Sequence, residues 1–131
     1  MTERLSLVTD PVARDMVERA LAVHATSTAP LLPGLRRGVI HGDANDYNVL
    51  VDPCAKAVTG LVDFGDMVVS HVANDVAIAM AYAALGKDDP LAAAAQVAAG
   101  YHAVHPLAAI ELAARHRLGL LRLGLSVRVA A

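Results

Sequence analysis

The sequence predicts an α+β chain, mainly α, in which a short β-hairpin packs on helices. Three observations predict it. Apolar residues recur at three- and four-residue spacing near the start and through the second half. Two short strand-like runs lie in the middle, separated by Asp52-Pro53. Finally, 56% of the residues are hydrophobic, mostly Ala, Val and Leu, with one Phe and no Trp. Such small side chains favour closely spaced helices around a thin core. A chain of 131 residues is a one-domain length.

The elements follow in order. Thr9-Asp10-Pro11 is a helix start, since Asp10 can cap free amides and Pro11 suits the first helical position. Val12, Met16 and Ala20, with Ala13, Val17 and Leu21, form the expected core face of a helix running to about residue 24. Residues 26–38 hold prolines and glycines and read as a loop. A short apolar segment, 38–40, leads into the polar stretch 41–48, and 49–51 then 58–62 read as the hairpin. After Gly65 the chain reads as helical: 76–85 opened by Asn74 or Asp75 and stopped by Gly86, then Asp89-Pro90 to about 104, then a last helix opened by Pro106. Gly119 and Gly124 are weak points of that last helix. There is no internal repeat.

Composition removes several function classes. A formal net charge of -2 gives no polyanion-binding signature, so no nucleic-acid partner is expected. Residues 1–20 carry four acidic side chains and no secretory core, and the apolar tail from Leu118 is broken by Arg122 and Arg128, so no membrane partner is expected. The single Cys54 cannot form an intramolecular disulfide and reads as a bystander thiol in a turn. Together these predict a soluble cytoplasmic protein. His24, His71, His102, His105 and His116 have no ligand partner at metal spacing, and Met67, Met80 and the Ala-rich stripes read as core.

Two polar segments stand where apolar strands end: His41-Gly42-Asp43-Ala44-Asn45-Asp46-Tyr47-Asn48 and Asp63-Phe64-Gly65-Asp66. Taken singly, each reads more readily as a turn device than as a site. In order, and each preceded by an apolar run, they suit phosphoryl transfer. That reaction needs a carboxylate to receive the proton of an attacking hydroxyl and oxygen ligands to hold Mg²⁺ against a polyphosphate. Mg²⁺ takes few protein ligands and completes its octahedron with water and phosphate oxygens, so two such groups suffice.

His-x-Asp-x-x-x-x-Asn followed by Asp-Phe-Gly resembles the catalytic and metal loops of protein kinases, with Gly42 in place of their usual Arg. His-Gly-Asp-x-x-x-x-Asn is more similar to the aminoglycoside phosphotransferase and choline kinase-like superfamily, which phosphorylates small-molecule hydroxyls. Asp63-Phe64-Gly65-Asp66-Met67, with Asn74-Asp75-Val76-Ala77-Ile78-Ala79 downstream, most resembles the hydroxylysine kinase branch, also found fused to class III aminotransferases.

The resemblance implies a protein-kinase-like C-terminal lobe whose hairpin carries the catalytic and metal loops. It implies Asp43 as catalytic base, Asn48 and Asp63 as Mg²⁺ and nucleotide ligands, His41 as the residue orienting the loop, and Asp75 as a structural brace. Asp46 and Asp66 would add negative field near the metal or meet a substrate amine. The implied cofactors are Mg²⁺ with ATP or GTP, and the implied partners are a nucleotide and a small-molecule hydroxyl acceptor such as an amino alcohol or hydroxylysine.

The family's other requirement is a Lys and a covering loop on the nucleotide phosphates. Lys56 and Lys87 both follow the catalytic loop, and the residues before it hold no Lys and no Gly-rich run. The expectation is therefore a partial kinase-like domain over 1–131 with the N-terminal nucleotide-binding lobe absent, inactive alone, and completed by a separate lobe or an adjacent aminotransferase segment. The competing reading is a noncatalytic pseudokinase module that binds metal weakly or serves an interaction.

Overall fold

The computed structural model describes residues 9–130, with side chains up to Leu123. Helix α1 (Pro11–Val23) starts where expected, with the Asp10 carboxylate accepting from Val12 N at 3.0 Å. Its expected core face is only half right. Val17 is buried, whereas Val12 and Met16 are more than 60% exposed. The helix lies along the outside of the molecule and meets little besides the last helix. The loop expected over 26–38 is instead a π-helical turn (His24–Thr28) continuing α1, then a 3₁₀ turn (Ala29–Gly34). Thr26 helps the transition by donating its hydroxyl to Ala22 O.

Two antiparallel ribbons follow. Strand β1 (Arg37–Ile40) pairs with β4 (Val68–His71), from Arg37 opposite His71 to Ile40 opposite Val68. Strands β2 (Val49–Asp52) and β3 (Ala57–Leu61) form the expected hairpin, turned at Asp52, whose carboxylate accepts from Cys54 N and Ala55 N. Strand β4 corrects the expectation of helix after Gly65. Residues 68–71 supply β1's missing hydrogen-bonding edge, and a lone strand would leave that edge unpaired. The hairpin therefore carries only part of the polar cluster: the loop containing Asp43 hangs from β1, in the other ribbon.

Helices α2 (Ala73–Ala84), α3 (Pro90–Val104) and α4 (Ala109–Ala130) complete the chain. Helix α2 is central. One face packs Ala73 and Ala77 against Leu35, Ala114 and Leu118, and the other packs Val76 and Met80 against Ala98 and Leu107. The expected close packing of small residues is realised at Gly119, where an added Cβ would stand 3.2 Å from Ala77 O. What read as a weak point in α4 is a close approach to α2. Met80 is core as expected, but Met67 is about half exposed after the Phe64–Asp66 turn.

Helix α4 begins at Ala109 rather than at Pro106. Glu111 reaches back to accept from Ala108 N at 2.8 Å, the acidic half of a capping box, so Pro106–Ala108 form the lead-in. Glu111 is fully buried and takes two bonds from the Arg36 fork, at 2.8 and 2.7 Å. This pair clamps the start of α4 to the segment entering β1. No helix among the described residues is long and apolar enough to cross a membrane. The fold class is thus α+β and mainly α, as the sequence predicts, and it is that of a kinase-like C-terminal lobe.

Candidate functional site

Strand β1 ends at Ile40, and the chain turns through His41 and Gly42 into the polar loop. His41 is buried by a contact with the Phe64 ring, the two lying edge to face with centroids 4.9 Å apart. Its Nδ1 accepts from Asp43 N at 3.3 Å, which leaves Nε2 to carry the hydrogen given to Val62 O at 3.0 Å. One imidazole thus ties the loop after β1 to the end of β3.

Gly42 adopts φ +84, and a Cβ built on it would stand 2.5 Å from Asp66 O. Both facts explain why glycine replaces the larger residue of the protein-kinase pattern: the two loops touch backbone to backbone there. The Asp75 carboxylate, from the first turn of α2, accepts from His41 N and Gly42 N at 3.2 and 3.1 Å.

Asp43 is four-fifths buried at its side chain. Its Oδ2 accepts from Asn45 Nδ2 at 2.9 Å and Asn48 Nδ2 at 3.3 Å. Its Oδ1 is paired with Arg122 Nη2 at 2.5 Å, from helix α4. Asn45 accepts from Tyr47 N and Asn48 N, capping the 3₁₀ turn Asp46–Asn48 that presents Asn48. Asn48 is buried, and its Nδ2 also donates to Asp43 O at 2.8 Å.

Asp63 sits in the left-handed region at φ 62, a conformation that Asp tolerates better than most residues. It is exposed and follows Val62, whose N–H donates to Asn48 O at 2.9 Å. The structure therefore brings Asp43 and Asn48 together directly. It bonds Val62, the residue before Asp63, to Asn48 through the backbone. Asp46 and Asp66 are exposed at the ends of their 3₁₀ turns.

The donor chemistry fits Mg²⁺. Asn48 spends its amide nitrogen on Asp43, leaving an amide oxygen as its hard donor, and Asp63 offers a carboxylate with no hydrogen bond or ion pair among the described residues. No group of three or more His, Cys, Asp or Glu stands ready to hold a metal among those residues.

Sequence reasoning missed Asn45 and Arg122. Asn45 was legible as an Asx turn two residues before Tyr47. Arg122 carries no local signal, because 79 residues separate it from Asp43.

The phosphotransferase enzyme family profile matches residues 3–118. The chain belongs to this family. Hydroxylysine kinase of Mus musculus is 32% identical over 125 residues, covering 90% of this chain and 33% of the relative. Hydroxylysine kinases of Xenopus laevis (32% over 100 residues, 70% and 27% covered) and Danio rerio (33% over 101 residues, 75% and 28%) are also similar. The chain spans about a third of the length of the curated relatives it matches. No solved structure matches it. Within this phosphotransferase-family chain, the first of the segments that carry the resemblance is tied to the end of β3 by His41 and to α2 by Asp75.

Proposed function

We propose that this chain is the hydroxyl-activating and metal-binding part of a small-molecule kinase. It moves a phosphoryl group from ATP or GTP to the hydroxyl of an amino alcohol or hydroxy-amino acid such as hydroxylysine. One observation carries the reading: the Asp43 carboxylate and the Asn48 amide meet at 3.3 Å, on a turn whose Asn48 carbonyl is tied to Val62, the neighbour of Asp63.

In this reading Asp43 accepts the hydroxyl proton as the phosphoryl group is transferred. Asn48 and Asp63 hold Mg²⁺, which when bound neutralises polyphosphate charge. His41 and Asp75 position the loop without touching substrate. The phosphate-gripping Lys and covering loop belong to a further segment, joined or docked, and residues 1–131 act as the C-terminal lobe. Exposed valines on the β1–β4 ribbon, Val39, Val68 and Val69, support a docking partner there.

A second reading, a noncatalytic module of the same fold, is favoured by the Arg122 pair, which occupies Asp43 Oδ1. Thermal melts with Mg²⁺ and a nucleotide separate the two. Stabilisation that disappears in Asp63→Ala is expected for the kinase reading, with Asp43→Asn retaining it but losing phosphate transfer to hydroxylysine once a nucleotide-binding lobe is supplied. A wild-type melt indifferent to Mg²⁺ and nucleotide would sink the reading.

A further inference from the structure

A cavity of about 490 Å³ opens beside the loop that carries Asp43, between the β1–β4 ribbon, the start of α2 and the Leu118–Arg122 stretch of α4. Its wall is apolar where Ile40, Leu118 and Leu121 line it, and charged where Asp66 and Arg122 do. The volume is that of a small-ligand site. Gly42, next to the base, also borders it.

Arg122 has two surroundings at once. Its guanidinium pairs with Asp43 Oδ1 at 2.5 Å and lies 5.8 Å from the centre of the Tyr82 ring, while the residue forms part of the cavity wall. The Asp43–Arg122 pair is partly exposed on the Arg122 side, whose side chain is 31% accessible against 19% for Asp43. A planar guanidinium recognises any carboxylate through the same forked geometry, so a carboxylate arriving from the cavity can take the place of Asp43.

We infer that Arg122 is the acceptor-recognition residue: it pairs with the carboxylate of a hydroxy-amino acid entering this cavity and rests on Asp43 when none is there. This rests on the kinase reading above, which makes Asp43 the base. The acceptor's carboxylate draws the guanidinium away, Oδ1 becomes available to the acceptor hydroxyl, and Asp66 at the same cavity meets the ammonium. The substrate class is thereby narrowed to zwitterionic amino acids, and amino alcohols lacking a carboxylate are excluded. The same exchange keeps the base covered while only water is present, so nucleotide is not spent on hydrolysis.

Calorimetric titration of the full chain tests this with hydroxylysine and with its decarboxylated counterpart, 1,5-diamino-2-pentanol. Hydroxylysine is expected to bind about ten- to a hundredfold more tightly, the range of one charge-assisted pair. Arg122→Gln should bring the two ligands level, and Arg122→Lys should restore part of the preference, with circular dichroism confirming that both variants fold. Equal binding of the two ligands to the wild type, no binding of either, or a preference that survives in Arg122→Gln would overturn the inference. The Mg²⁺ response of Asp63→Ala, read on the same preparation, keeps the two readings apart. Ligand discrimination without a Mg²⁺ response sinks the phosphotransfer reading, and a Mg²⁺ response without discrimination sinks this one.

Discussion

Asp75 grips two consecutive amides of the polar loop after β1, donating nothing and accepting from His41 N through Oδ2 and Gly42 N through Oδ1. The carboxylate belongs to the first turn of the central helix α2, so the loop's position is referred to the best-packed element of the fold. Asp75→Ala leaves two part-buried donors without their charged acceptor. The expected cost is about 2–3 kcal/mol in urea denaturation, with Asp75→Asn losing about half as much because one oxygen remains. Faster hydrogen exchange at the amides of residues 41 and 42, in excess of the global change, is the signature of a lost brace. Uniform acceleration across α2 instead would mean that Asp75 serves the helix rather than the loop.

Gly42→Ala tests the contact between the two polar loops. An alanine there must adopt φ +84 and place its Cβ 2.5 Å from the Asp66 carbonyl, which is backbone and cannot swing aside. Left-handed backbone costs about 1–2 kcal/mol for a residue with a Cβ, and forced repacking adds about 1–3 more. A combined loss of about 2–5 kcal/mol is expected in chemical denaturation, with the Phe64–Asp66 turn displaced in the NMR spectrum. A variant as stable as the wild type would show that the loops do not touch as described.

Much of this arrangement was legible before the structure. The helix starts at Asp10-Pro11 and Asp89-Pro90, the Asp52-Pro53 hairpin and the core role of Met80 all follow from local rules, because caps, turns and helical spacing act over a few residues. Strand β4 was not legible, since its reason for being a strand is the edge of β1, about thirty residues away. The exposure of Val12 and Met16 was hidden for a related reason: α1 shows a helical stripe, but only tertiary placement decides how much of it is covered. At the site, the spacing of Asp43, Asn48 and Asp63 is readable. Arg122 is not, because an ion pair across 79 residues leaves no periodic trace.

Thr28 offers a test of the core beneath the α1 exit. The residue is fully buried, and its hydroxyl oxygen has no hydrogen-bond partner among the described residues. Burying an unmatched hydroxyl costs about 1–3 kcal/mol, whereas valine fills the same shape without it. Thr28→Val is expected to stabilise the chain by about 1 kcal/mol, seen as a higher melting temperature. A loss of stability would mean that the hydroxyl is satisfied in solution.

The Arg36–Glu111 clamp makes stability depend on pH in a direction that the geometry fixes. The hydrogen bonds from Arg36 hold the Glu111 carboxyl below its ordinary value of 4.5; burial opposes this, while the Ala108 amide and the Arg36 charge add to the lowering. A carboxyl with a depressed folded-state pKa binds protons more readily when unfolded, so stability rises with pH between the folded and unfolded values. The contribution is complete above about pH 5.5, begins to fade near 4.5 and is gone once the pH falls below the folded-state value. Glu111→Gln keeps the volume but brings an amide nitrogen against the Arg36 or Ala108 donors and cannot titrate. The stability difference between wild type and variant, from urea melts at successive pH values, should be constant from pH 6 to 8 and shrink as the pH is lowered past about 4.5. A difference that stays level down to pH 3, or grows on acidification, would show that Glu111 is not held ionised by Arg36.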